Sequence, residues 1–180
     1  MMIKHTFLLL ALLVFMSAQT QTRLFPRVSC TNLKDKTVEL PADVAGKRTV
    51  IALMLSTKAD KQMQKWVQPL YNALLADGMG GMMGGNIYNA QLFFVGAVKG
   101  LAKLALPEMI KKAKKEVDTK YHSQFMYTDS NTEDLIKQLN IKDTNEPYFI
   151  VLEKDGSILF ETSGAYSEDK MNSITDALLK

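Results

Sequence analysis

The chain has 180 residues, 47% hydrophobic and 23% charged, with 22 basic against 19 acidic side chains and a formal charge of +3. This balance excludes wholesale disorder and multi-pass membrane architecture, and it provides no basic footprint for nucleic acid. A single cysteine, Cys30, excludes an intrachain disulfide and a two-cysteine redox cycle within the chain.

The first residues read as a leader. Lys4 supplies a positive charge, Phe7 to Met16 is an unbroken apolar run, and Ser17-Ala18-Gln19 is small and polar. Charge, short apolar core and small-residue exit are the pattern of a secretory signal peptide. The run spans about 15 Å as a helix, half the thickness of a bilayer's hydrocarbon core. We therefore expect a signal peptide over residues 1–18, with an uncleaved membrane anchor as the alternative, an N-terminal lead-in over 19–30, and one domain over 31–180. Export through this leader implies a periplasmic or otherwise extracytoplasmic location.

In chain order, Thr37-Val38-Glu39-Leu40 alternates and stops at Pro41, which suits an edge strand. Thr49 to Leu55 is continuously apolar, as expected of a central strand buried on both faces. Met63, Trp66, Val67, Leu70 and Leu74 recur at helical spacing over 60–75, with Pro69 predicting a kink or break. Residues 77–85 hold five glycines and read as a flexible loop. A strand is predicted around Ile87 to Gln91, then an apolar helix from about Phe93 to Leu106. Pro107 opens a second helix, from Glu108 to about Tyr121, crowded with lysines. Gln124 to Tyr127 reads as a strand, and Ser130-Asn131-Thr132-Glu133 as a capping box. Pro147 to Leu152 and Ile158 to Phe160 form a hairpin around Asp155-Gly156, and Ser167 caps a last helix that buries Met171, Ile174 and Leu178.

This order, a central parallel portion followed by an antiparallel hairpin and a covering helix, resembles a thioredoxin-like domain. It implies an α/β fold with a central mixed sheet flanked by helices, and a helical insertion. Gly46-Lys47 before the first buried strand, Pro147 opening a strand, and the phrase Phe149 to Ile158 carry the redoxin-type likeness. The chain is most similar to the mitochondrial ATP-synthase assembly chaperone family, a thioredoxin-like fold without the redox pair. The matching features are Trp66 with Pro69, the aliphatic stretch ending Leu106-Pro107, the basic stretch after it, the Tyr148-to-Ile158 hairpin, Gly164, and Ser167-Glu168. Where that family commonly carries an Arg-Trp pair after the position of Ile158, this chain has Leu159-Phe160.

The resemblance places the thioredoxin-like site equivalents at Ser56, Thr57, Lys58, Ala59, Asp60 and Pro147. It implies a cis Glu146–Pro147 bond abutting the Ser56–Asp60 loop. Redoxin catalysis needs a low-pKa thiolate at the start of the first long helix, and Ser56 to Lys61 contains none. Cys30 precedes the expected first strand and reads as an inert thiol, with a mixed-disulfide role as the alternative. Ser56 and Thr57 read as helix caps, and His122 as a surface or interface residue, since one histidine does not make a usual zinc site. Asp129, Glu133, Asp134 and Asp143 read as capping and solvation. Met79, Met82 and Met83 fit an adaptable contact loop or, alternatively, a cuprous site.

The candidate partner surface is Trp66, Phe93 and Phe94 with Lys99, Lys103, Lys111, Lys112 and Lys115; Gly96 and Gly100 are four apart, a spacing that permits close helix approach. The plainer alternative is a core helix followed by a solvated basic helix. The expected function is that of an exported, non-catalytic binding or assembly module with no cofactor. Its expected partner is another envelope protein, with peripheral membrane contact as a second possibility. The alternatives are a divergent thiol oxidoreductase using Cys30, or copper handling by the Met-Gly loop.

Overall fold

The apolar run at Thr49–Leu55 forms β3 (Arg48–Met54), the strand around which the molecule is built. The computed structural model describes residues 23–75 and 88–180. The remaining strands are β1 (Val28–Asn32), β2 (Thr37–Leu40), β4 (Ala90–Ala97), β5 (Phe125–Thr128), β6 (Tyr148–Leu152) and β7 (Ile158–Ser163). They form one mixed sheet in the order β2-β1-β5-β4-β3-β6-β7, with β3, β4 and β5 parallel and every other pairing antiparallel. Among the described residues four α-helices flank it: α1 (Thr57–Leu74), α2 (Leu106–Glu116), α3 (Thr132–Gln138) and α4 (Glu168–Leu179).

Side chains alternate across the sheet, as a strand's period of two requires. Val50 and Ala52 of β3, Leu92 and Phe94 of β4, and Phe149 and Val151 of β6 face α1 and α4, meeting Trp66, Leu70, Leu74, Ile174 and Leu178. Ile51, Leu53, Val95, Ile150 and Leu152 face the other way. There they pack with Phe25, Val28 and Cys30 and with Leu135, Leu139 and Ile141 in and after α3. Ordered structure thus begins before residue 31. Cys30 lies within the first strand rather than ahead of it.

Several expectations are corrected. Leu92 to Ala97 is a strand, not a helix: a continuous apolar run reads the same for either state, and here it is buried between β3 and β5. The Gly96–Gly100 spacing therefore lies on no helix face. Gly96 instead makes room for the ring of Tyr127, whose Cδ1 lies 3.0 Å from where a Cβ would stand. The second helix ends at Glu116, because Val117 is already extended. α1 runs through Pro69 without a break; Trp66 and Leu70, both buried on the sheet, hold the turns on either side of the lost hydrogen bond. The capping box at Ser130 does not form, since Asn131, at φ 53°, precedes α3 without a side-chain cap. Ser130 instead donates to the carbonyl of Ser29, at 3.5 Å. In the hairpin, Gly156 has positive φ and Asp155 does not.

Candidate functional site

Where a redox centre would stand, β3 passes through Leu55 into α1. Ser56 is the N-cap: its backbone is extended and its hydroxyl accepts from the Ala59 amide at 3.2 Å. Thr57, Lys58 and Asp60 are exposed, and Ala59 is buried beneath them. The chain ahead of β6 closes over this turn. Gln62 Nε2 donates to the Asn145 carbonyl at 3.0 Å, and Ser56 Oγ lies 3.5 Å from Asn145 Oδ1. Pro147 follows, its carbonyl accepting from the Gly164 amide at 2.9 Å. Asn145, two residues ahead of Pro147, thus bridges to the Ser56–Gln62 turn.

The Glu146–Pro147 bond does not follow the resemblance. It is trans; the cis X-Pro bond among the described residues joins Leu40 to Pro41. Trans is the lower-energy form of an X-Pro bond. The segment is held by its neighbours: Ser163 Oγ donates to Glu146 Oε2 at 3.1 Å, beside the Gly164 amide bond.

A residue that the sequence did not single out joins the site. Tyr127, paired in register with Gly96 on β5, stands half-buried on the α1 side of the sheet. Partial burial raises its pKa first, and the negative charges of Asp60 and Glu116 raise it further. Asp60 is exposed by its accessible surface, yet neighbouring chain desolvates it enough to raise its carboxyl pKa. Lys112 pulls that pKa down and Glu116 pushes it up. The charges of α2 therefore act on the first turn of α1. The site is polar and hydroxyl-bearing, and it has no thiol. The signal for Tyr127 was the glycine opposite it, legible only once the register is known.

Cys30 is far from this turn in the sheet. It sits on β1, separated from β3 by β5 and β4, opposite Val38 and buried. Burial, with a smaller push from Glu39, raises its pKa from 9.0 to about 12. A neutral thiol is a poor nucleophile. Cys30 will therefore resist thiol-specific reagents in the native protein at mildly alkaline pH and react at once in denaturant. Between pH 9 and about 12 the unfolded chain's thiol ionises while the folded one stays protonated, so stability falls as pH rises. The slope from this group reaches about 1.4 kcal/mol per pH unit. A Cys30→Ala variant should lack that component in paired urea titrations; identical alkaline slopes would refute the assignment.

The expected partner surface divides. Trp66 is completely buried, as is nearly all of Phe94, so neither meets a partner. The indole Nε1 of Trp66 donates to the Gly164 carbonyl at 3.1 Å, and its ring lies 4.0 Å from that of Phe149. Phe94 stacks on Phe125 at 4.6 Å. Phe93 is half-buried on the opposite face. Both phenylalanines belong to a central strand, which a helix assignment had turned outward. Lys99, Lys103, Lys111, Lys112 and Lys115 are exposed. Lys111 lies 3.7 Å from Glu108 and Lys112 3.8 Å from Glu116, loose surface pairs of little energetic weight. His122 is buried rather than exposed. Its Nε2 must carry the proton, because it lies 2.9 Å from the Val117 carbonyl, which can only accept. The Met-Gly loop lies outside the described residues.

A family model described as ATP10 protein matches residues 15–179. The chain belongs to the ATP10 protein family. No curated protein matches it. Among solved structures it is similar to the pneumococcal exposed lipoprotein thioredoxin Etrx1 of Streptococcus pneumoniae, at 12% identity and TM-score 0.55, over 84% of this chain and 98% of that one. It is similar to BsSco, of the Sco family of cytochrome c oxidase assembly proteins, at 12% identity and TM-score 0.56, over 88% and 95%. A thioredoxin-family thiol:disulfide interchange protein from Chlorobium tepidum aligns at 15% identity and TM-score 0.54, over 91% and 100%. At these identities the likeness is one of fold. This ATP10-family chain is thus a thioredoxin-fold protein of the assembly type, without a redox cysteine pair.

Proposed function

We propose that this ATP10-family chain is an exported, non-catalytic assembly or chaperone module that binds another protein of the cell envelope. One observation carries the reading: the turn that would hold a redox thiolate is Ser56 to Asp60, with the Ser56 hydroxyl committed to capping α1. The single thiol, on β1, is buried and protonated. Export rests on the leader pattern of residues 1–18. The family makes ATP synthase the first client to test.

Two measurements test this. The purified protein should reduce insulin disulfides no faster than buffer; turnover at the rate of an ordinary thioredoxin would sink the non-catalytic reading. In a strain lacking the chain, assembled ATP synthase on native gels should fall, and a Cys30→Ser copy should restore it as fully as the wild type. Undiminished assembly in the deletion would remove that client. Failure of a folded Cys30→Ser copy would revive thiol chemistry.

A further inference from the structure

Residues 99–116 form an arm with no place in the core. They comprise a 3-10 turn, Gly100–Ala105, followed by α2, and neither element contains a buried residue. The arm packs chiefly on itself. Lys114 anchors it, 2.7 Å from Asp35 in the β1–β2 turn. At its tip, Leu101 is 85% exposed and Leu104 81%, with Met109 at 40%. In a 3-10 helix, side chains three apart eclipse one another, so Leu101 and Leu104 stand side by side on one edge. Among the described residues Leu101 and Leu104 are the most exposed of the large apolar side chains, above Leu179 at 64% and Leu24 at 61%, and they stand next to each other.

The charge is equally uneven. The arm carries six lysines and two glutamates; the rest of the chain has sixteen basic and seventeen acidic side chains. The whole basic excess of the protein is therefore in this arm. Lys99, Lys103 and Lys115 make no ion pair among the described residues.

We infer that this arm is a contact for an anionic lipid surface, with Leu101 and Leu104 entering the interface and Lys99, Lys103, Lys111 and Lys115 meeting the headgroups. The shape selects this occupant. The concavity at the base of the arm, between Lys99, Gly100 and Lys103 and residues Asn131 to Asp134, is lined by polar and charged residues and by neither Leu101 nor Leu104, so the leucines have no apolar groove that would seat a peptide. A soft interface needs none, only an apolar tip reaching about 5–10 Å into the headgroup boundary with basic residues behind it. So few apolar side chains bind weakly alone, so the lysines and the leucines are both required and binding is salt-sensitive. The inference goes beyond the assembly reading and does not depend on any client.

The test uses the full chain with an environment-sensitive maleimide at Ala105→Cys, an exposed position beside Leu104; Cys30, buried and protonated, stays unlabelled. A label on Asn172→Cys, exposed on α4, is the control. The label at 105 should shift to the blue on vesicles of phosphatidylcholine with phosphatidylglycerol, and not on phosphatidylcholine alone. The label at 172 should not move, which separates the arm from any effect of residues 7–16. High salt should reverse the shift. Lys99→Gln, Lys103→Gln and Lys111→Gln should each raise the lipid concentration at half-binding roughly fivefold. Leu101→Ser with Leu104→Ser should abolish the shift while the far-ultraviolet circular dichroism stays that of the parent. No shift on the anionic vesicles would overturn the inference, as would a shift indifferent to salt and lysines. So would a shift that appears without lipid as protein concentration rises, since a second copy would then cover the arm. No client is present, so the result stands whether or not the assembly reading does.

Discussion

Trp66→Ala should cost about 3–5 kcal/mol, the range for removing a large aromatic side chain from a packed core. The indole is completely buried between Phe149, 4.0 Å away, and Tyr166, at 5.1 Å in an edge-on arrangement. Its loss also leaves the Gly164 carbonyl without the Nε1–H donor it has at 3.1 Å, a further penalty of about 1–3 kcal/mol if no water enters. Domains of this size hold about 5–15 kcal/mol in total, so the variant should be barely folded at room temperature. Urea unfolding followed by circular dichroism measures the loss, because the only tryptophan is gone. Trp66→Phe should lose less, since it keeps most of the apolar volume and forfeits the hydrogen bond. A loss under about 1 kcal/mol for Trp66→Ala would mean that the side chain is exposed to a partner after all.

Gly156→Ala should cost about 2–3 kcal/mol, from two separable terms. Gly156 turns the β6–β7 hairpin at φ 85°, a conformation that costs a residue with a Cβ roughly 1–2 kcal/mol. The new Cβ would also stand 2.8 Å from Cγ and 3.0 Å from Cβ of Pro41. A proline ring is not the free end of a flexible chain, so backbone must move. Moving it disturbs the bonds at this turn, in which the Phe25 amide donates to the Gly156 carbonyl at 3.0 Å and the Gly156 amide to the Glu153 carbonyl at 2.9 Å. Gly46→Ala is the internal comparison: φ is 90° but nothing lies within 4 Å of the added carbon. It should cost only the conformational term, about 1–2 kcal/mol. If the two variants lose equal stability, the contact between Pro41 and the hairpin is absent.

Several residues whose state depends on their neighbours in the chain stand as the sequence indicates, although the capping box at Ser130, an equally local signal, does not form. β2 ends at Pro41, β3 follows the unbroken apolar run, and Ser56 and Ser167 cap α1 and α4 as their positions demand. The order of elements carried the thioredoxin-like fold, and the missing cysteine at Ser56–Asp60 needed no coordinates to be seen. Leu92 to Val98 failed for a definite reason. Burial on two faces erases the alternation that marks a strand, so only pairing with β3 and β5 reveals it.

The same pairing puts Phe93 and Phe94 inside the sheet rather than on a helix surface, and turns Gly96 toward Tyr127 rather than a second helix. Trp66 was misplaced by a different route: helical periodicity shows that an apolar face exists, not whether it is covered by the chain's own sheet or by a partner. The lysines of α2 were visible at once, but not that Leu101 and Leu104 protrude beside them, because exposure is a property of what fails to pack against a residue. Sequence alone thus determined the elements with local signals, the fold they add up to, and the absence of a redox pair. Tertiary structure alone decided which apolar residues are inside, placed Tyr127 over Gly96 near Asp60, and left one apolar, basic arm uncovered. Those outcomes depend on register and on contacts between distant segments, which no local pattern encodes.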